Sequence, residues 1–188
     1  NQRERFTSIG YIKRGERDYM GLKVFDICSG IGGFSLALHA TGGFETVGFC
    51  EFDDYCQKVL KKNFPNIPIY NDLKELAKDE ETIRTIPDHD LICGGVPCQS
   101  WSAAGKQKGT EDDRHLWPAM FEIVKGKRPT YVVVENVNGF VTLGGADLVS
   151  NDLEAEGYAT ATFVLPALSV KAPHRRDRVW IIGKKTQE

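Results

Sequence analysis

Apolar residues in this chain fall into short runs separated by polar, glycine-bearing segments. The runs 23–27, 46–50, 67–70, 90–93 and 130–137 are bounded by turn residues and have the length and β-branched content of buried strands. Helical patterns lie between them. Residues 34–40 form one, and 53–64 form another, with Tyr55, Val59 and Leu60 predicted inward and Lys58, Lys61 and Lys62 outward. The acidic stretch 74–88 predicts helix and exposed turn, and 115–127 and 146–157 predict two more helices. Residues 159–165 alternate as a strand, and 179–182 supply the last one. Strand and helix in alternation predict an α/β domain around a mostly parallel sheet. Residues 1–20 are polar, mixed in charge and without period, and read as an arm; 21–188 read as one domain.

Four strand ends carry candidate chemistry, and in open α/β sheets ligands bind beyond the carboxyl ends of the strands. The first strand runs into Cys28-Ser29-Gly30-Ile31-Gly32-Gly33 and then a helix, the opening of a nucleotide-binding unit. The second ends at Glu51, 21 positions after Gly30, where a carboxylate can accept hydrogen bonds from ribose hydroxyls; nothing in the sequence offers it another partner. Asp72 can cap the helix that follows it, reach a ligand, or do both. The fourth run gives way to Gly94-Gly95-Val96-Pro97-Cys98-Gln99-Ser100, which sets a thiol at the mouth of the sheet on backbone stiffened by Pro97. Glu135 closes the run 130–137; a carboxylate there without a partner is costly, so it is expected to face the crevice of Cys98. The polar segment 103–114 reads as a solvated connection or a lid.

Composition narrows the function classes. The chain of 188 residues is 41% hydrophobic and 27% charged, with a net charge of −2 that gives no global nucleic-acid signature. Charge is local: Lys171, Arg175, Arg176, Arg178, Lys184 and Lys185 face only Asp177 and Glu188 at the end of the chain. No apolar stretch approaches the ~20 residues of a membrane span. Five cysteines, an odd number without a Cys-x-x-Cys pair, fit reduced thiols in the cytoplasm better than disulfides or a metal centre.

A glycine turn, an acidic strand end, an Asp-Leu, Pro97-Cys98-Gln99, Glu135-Asn136-Val137 and Pro173-His174-Arg175-Arg176-Asp177-Arg178 follow one another in this order. Together they resemble the catalytic half of the cytosine-C5 DNA methyltransferases, over residues 23–183. The resemblance implies a Rossmann-like mixed sheet flanked by helices, with a final antiparallel strand. It implies S-adenosylmethionine as cofactor, with Ser29, Gly30, Ile31 and Gly33 along its methionine part and Glu51 on the ribose. Phe52 would stack on the adenine, Asp72 and Leu73 would meet its edge, and Pro97 would border it. No metal is implied. Cys98 would attack C6 of a cytosine flipped from double-stranded DNA. Glu135 would hydrogen-bond N3 and the amino group, and Arg176 and Arg178 would fix Glu135 and the base. The segment 99–114 resembles the family's closing loop. Restriction-modification in a prokaryotic or phage-infected cell is the implied setting.

Two positions depart from the family pattern. Cys28 stands where an aromatic usually packs on the cofactor, and His174 where a glutamine is usual. The family's target-recognition region and C-terminal segment have no counterpart here, so a fragment, a second chain supplying the rest, or a degenerate scaffold are the expectations. The tRNA-methylating branch of the family and a silent regulatory subunit of the same fold are the rival functions. A nicotinamide-dependent oxidoreductase would need Gly-x-Gly-x-x-Gly, and Leu36 stands where the third glycine belongs.

Overall fold

The computed structural model describes residues 21–97 and 116–186. Cys98, the segment 99–115 and the arm 1–20 lie outside the described residues. The chain runs β1 (Leu22–Ile27), α1 (Gly33–Thr41), β2 (Phe44–Cys50), α2 (Asp54–Asn63), β3 (Ile69–Tyr70), α3 (Leu73–Leu76), α4 (Glu80–Arg84) and β4 (Leu91–Gly94). It continues with α5 (Trp117–Lys127), β5 (Tyr131–Val137), α6 (Gly139–Thr142), α7 (Gly145–Ala155), β6 (Tyr158–Pro166) and β7 (Asp177–Lys185). The seven strands form one sheet in the order β3-β2-β1-β4-β5-β7-β6. Strands β1 to β5 are parallel, and β7 is inserted antiparallel between β5 and β6. The mixed sheet with one reversed strand is the fold expected from the sequence.

Burial follows the strand positions. In β1 the last four residues are buried, and Val24, Phe25 and Ile27 have no exposed surface, as a central strand covered on both faces requires. The larger core lies against α5 and α7, where Met120, Ile123, Val124 and Leu153 pack on Ile92, Val132, Val134 and Ile181. The opposite face holds a smaller cluster of Val24, Leu91 and Cys93 against Phe34 and Leu38 of α1. Asp26, wholly buried in β1, ties that helix down: its Oδ2 accepts from the N–H of Ser35 at 3.2 Å and from its hydroxyl at 2.8 Å. Gly32 precedes α1 at φ 89°, and a Cβ there would meet Phe64, just past α2, at 2.9 Å and Leu60 of α2 at 3.0 Å, so only glycine fits this approach.

Two readings of the sequence are corrected. Tyr55 points outward and is 69% exposed, whereas Leu60 is buried. The two stand five residues apart, about 140° around the helix, so one stripe cannot hold both. The short helix α6 falls between two anticipated elements; one turn is too brief to leave a period in the sequence.

Candidate active site

The carboxyl ends of β1 to β5 meet at one edge of the sheet, as parallel strands require. A cavity of about 540 Å³ opens there, a volume suited to a nucleoside-sized ligand. Its wall includes Cys28, Glu51, Phe52, Asn71, Asp72, Leu73, Gly95 and Pro97. A larger open cleft of about 1220 Å³ lies beside Arg128, Tyr131 and Lys184, and none of the candidate residues lines it.

The β1 exit is a built turn. Ser29 is buried, and its hydroxyl donates to the Asp26 carbonyl at 2.6 Å and reaches the Cys50 carbonyl at 3.3 Å, so it braces the turn from below. The Gly30 N–H donates to Oε2 of Glu51 at 2.6 Å, and the Asp53 N–H donates to Oε1 at 2.8 Å. The Glu51 carboxylate is therefore held by protein on both oxygens, not left without a partner. Each oxygen keeps a second lone pair for a ligand hydroxyl. Ser29, Gly30, Ile31 and Gly33 stand on the turn and not on the cavity wall, joined to it through the Gly30–Glu51 bond. Ile31 is 59% exposed and Phe52 72% exposed, each an apolar group open to solvent. Asp72 caps α3 through Oδ1, which accepts from the N–H groups of Lys74 and Glu75. It also lines the cavity, so both of its anticipated roles remain available.

Cys28 and Cys50 put two thiols in the same wall. Burial, followed by the charges of Glu51 and Asp26, pushes the Cys28 thiol up to about 12. Burial also raises Cys50. Both stay protonated at neutral pH, which fits them to line a pocket and not to attack.

The second half of the site gathers on β4, β5 and β7. Nε of Arg178 lies 2.7 Å from Oε1 of Glu135, with both side chains about three-quarters buried. In the register Glu135 opposes Trp180 and Val137 opposes Arg178, so this pair is diagonal across the antiparallel ladder. Burial raises the Glu135 carboxyl, and the cations of Arg178 and Arg176 pull it back. Arg176 is exposed at φ 38° and acts on Glu135 only as a nearby charge among the described residues. Gly94 and Gly95 are explained by close approach. A Cβ on Gly94 would lie 2.6 Å from the Ile27 carbonyl oxygen, and one on Gly95 would lie 3.0 Å from Oε2 of Glu135.

Asn136, though part of the Glu135-Asn136-Val137 motif, was given no role of its own from the sequence. It is 2% exposed, its Nδ2 donates to the Val96 carbonyl at 3.3 Å, and its Oδ1 accepts from the Val137 N–H at 2.8 Å. It fixes the β4 exit two residues before Cys98. A polar amide inside a β-branched run was the available signal.

A profile of the C-5 cytosine-specific DNA methylases matches residues 22–188. The chain belongs to this family. It is 37% identical over 171 residues to the type II methyltransferase M.HhaI of Haemophilus parahaemolyticus, covering 89% of this chain and 50% of the relative. It is 35% identical to the orphan methyltransferase M.SPRI of Bacillus phage SPR, covering 86% of this chain and 37% of that protein. The crystal structure of the Schizosaccharomyces pombe Dnmt2 methyltransferase superposes with a TM-score of 0.74 at 21% identity, over 89% of this chain and 52% of that one, and shows the shared fold. This C-5 methylase chain thus spans half or less of the two sequence relatives. No helix among the described residues is long and apolar enough to cross a membrane. No group of three or more metal-binding side chains occurs among them.

Proposed function

We propose that this protein transfers a methyl group from S-adenosylmethionine to C5 of cytosine in double-stranded DNA, by way of a covalent bond between Cys98 and C6. The observation that carries the reading is the Glu135–Arg178 pair. It is a carboxyl about three-quarters buried, held by a guanidinium 2.7 Å away and packed against Gly95 in the β4 exit that leads into Cys98.

The cavity fits the cofactor. Its 540 Å³ wall presents an apolar surface at Phe52 and Leu73, with the carboxylates of Glu51 and Asp72 beside them. Glu51 would accept from the ribose hydroxyls, Asp72 and Leu73 would meet the adenine edge, Phe52 its face, and Pro97 its border. Ser29, Gly30, Ile31 and Gly33 would form the turn along the methionine part. When bound, the cofactor supplies an electrophilic methyl group. C5 of cytosine is too weak a nucleophile to take it unaided, and this is the difficulty the protein residues address.

Cys98 would bond to C6, and the electron pair released would load the ring at N3 and C5. Glu135, its carboxyl raised by burial, would hold a proton at N3 and so stabilise the loaded ring. Arg178 would keep the Glu135 carboxyl in place, and Arg176 would add positive charge near the base. Asn136 would hold the backbone that delivers Cys98. C5, so loaded, would take the methyl group; the C5 proton would then pass to solvent, and its bonding pair would re-form the C5–C6 double bond and expel the Cys98 thiolate, releasing the methylated base.

Target choice is proposed to come from polypeptide matching the part of the relatives that these residues do not span, in the same protein or in a second chain. The free cysteines among the described residues and the proposed DNA substrate support a cytoplasmic setting. The test is a trap. DNA carrying 5-fluorocytosine cannot lose a C5 proton, so the protein should form a denaturant-resistant adduct with it in the presence of S-adenosylmethionine. Cys98→Ala should form none. An adduct with the alanine variant refutes the nucleophile, and turnover on tRNA alone refutes the substrate.

A further inference from the structure

Gln57 lies on α2 outside the cavity wall, yet it touches two segments that make the wall. Its Nε2 donates to the Glu51 carbonyl oxygen at 2.7 Å and to Oδ1 of Asn71 at 2.7 Å. The Glu51 carbonyl is an acceptor only, which fixes the Gln57 amide with nitrogen toward it. The second N–H of that nitrogen faces Asn71, which must therefore present its oxygen. The Nδ2 end of Asn71 is turned away from Gln57, and Asn71 is itself part of the cavity wall. The Glu51 N–H already donates to the Tyr70 carbonyl at 2.9 Å. One side-chain amide thus closes a loop of hydrogen bonds joining the exits of β2 and β3.

We infer that Gln57 is a positioning residue of the cavity: it sets the spacing of Glu51 and Asp72 and orients Asn71 so that its amide N–H groups serve as donors to the ligand. This rests on the cavity being the S-adenosylmethionine site. An adenine ring nitrogen or a ribose oxygen is the acceptor such a donor would meet, complementary to the acceptors Glu51 and Asp72. Neither Gln57 nor Asn71 touches the reacting base, so their effect falls on cofactor affinity and not on chemistry.

Titration calorimetry of S-adenosylmethionine and S-adenosylhomocysteine on the full 188-residue chain tests this. Gln57→Leu and Asn71→Ala should each weaken binding about tenfold, the order expected for one or two hydrogen bonds. The double variant should be no weaker than the poorer single one, because both changes break the same arrangement. Asn71→Asp keeps an acceptor for Gln57 but has no N–H, and it should lose affinity too. In methyl transfer, the variants should raise KM for the cofactor at unchanged kcat. Ligand-free thermal unfolding of Asn71→Ala, an exposed position, should match the parent. Unchanged affinity in Gln57→Leu, or singles that multiply to about a hundredfold in the double, overturns the inference. Glu51→Ala separates the two layers. If it also binds normally, the cofactor site itself is misplaced. If it loses binding while Gln57→Leu does not, only the role of Gln57 falls.

Discussion

Nε of Arg178 on β7 approaches Oε1 of Glu135 on β5 to 2.7 Å, across the antiparallel ladder that borders the parallel strands. The reversed strand thereby brings a cation from the far end of the sequence to the crevice. Burial raises Glu135, and Arg178 opposes that rise. Removing the cation in Arg178→Gln should raise the carboxyl further, so the limb of the pH–rate profile that belongs to Glu135 should move to higher pH. Glu135→Gln should delete that limb and slow turnover by about 10²–10⁴-fold with cofactor affinity intact. A pH profile of single-turnover methyl transfer checks both; an unmoved limb in Arg178→Gln would sink the assignment.

The glycine pair before Cys98 separates folding from chemistry. Gly95→Ala puts a Cβ 3.0 Å from Oε2 of Glu135, and the carboxyl must yield by a few tenths of an ångström. The expected result is a normally folded protein with turnover lowered about tenfold, since misplacement by 1 Å costs about a hundredfold. Gly94→Ala meets the Ile27 side chain at 2.5 Å and its backbone oxygen at 2.6 Å, which cannot yield without parting β1 from β4. It should destabilise by about 1–3 kcal/mol or more. Urea unfolding beside activity distinguishes the two.

Much of this arrangement was legible in the sequence, because strand ends are punctuated by glycine, proline and charge. The runs ending at Ile27, Cys50 and Cys93 gave the parallel core, and the charged residues Glu51, Asp72 and Glu135 stood out against apolar neighbours. What could not be read is what each polar group bonds to. Nothing local in the sequence says that Glu51 takes the Gly30 and Asp53 N–H groups, that Ser29 turns inward, or that Asn136 holds Val96 across two strands. These bonds join residues up to 40 positions apart, and only the strand order fixes them.

Asp26 gives a prediction independent of catalysis. Its carboxyl is wholly buried with Oδ1 unpartnered among the described residues, and burial lifts it from 3.8 to about 7 against the pull of the Ser35 bonds. The folded protein therefore holds a proton that the unfolded chain has released between pH 3.8 and about 7. Stability from this group is fully present below the lower value and is lost as pH rises through the upper one. At ~1.4 kcal/mol per pH unit the loss is roughly 4 kcal/mol. Asp26→Asn keeps an acceptor for Ser35 and has nothing to ionise, so its urea-unfolding free energy should not show that decline. Parallel pH curves for the two proteins would show that Asp26 is not protonated in the fold.

Glu51 tests the cofactor site most directly, and its bonds change what the usual substitutions mean. Glu51→Ala removes the proposed ligand acceptor and also releases the Gly30 and Asp53 N–H groups, loosening the turn beside the cavity and the start of α2. The loss in S-adenosylmethionine affinity should reach at least the ~1.5–3 kcal/mol of a hydrogen bond to a charged group. Glu51→Gln, ordinarily the mild change, is expected to be nearly as damaging. A carboxylate satisfies two N–H donors with two oxygens, whereas an amide offers one oxygen and must set its own NH₂ against Gly30 or Asp53. Calorimetry that finds Gln close to the parent and Ala strongly impaired would mean that one of those two backbone bonds is dispensable. Calorimetry that finds neither variant impaired would remove Glu51, and with it this cavity, from the binding of the cofactor.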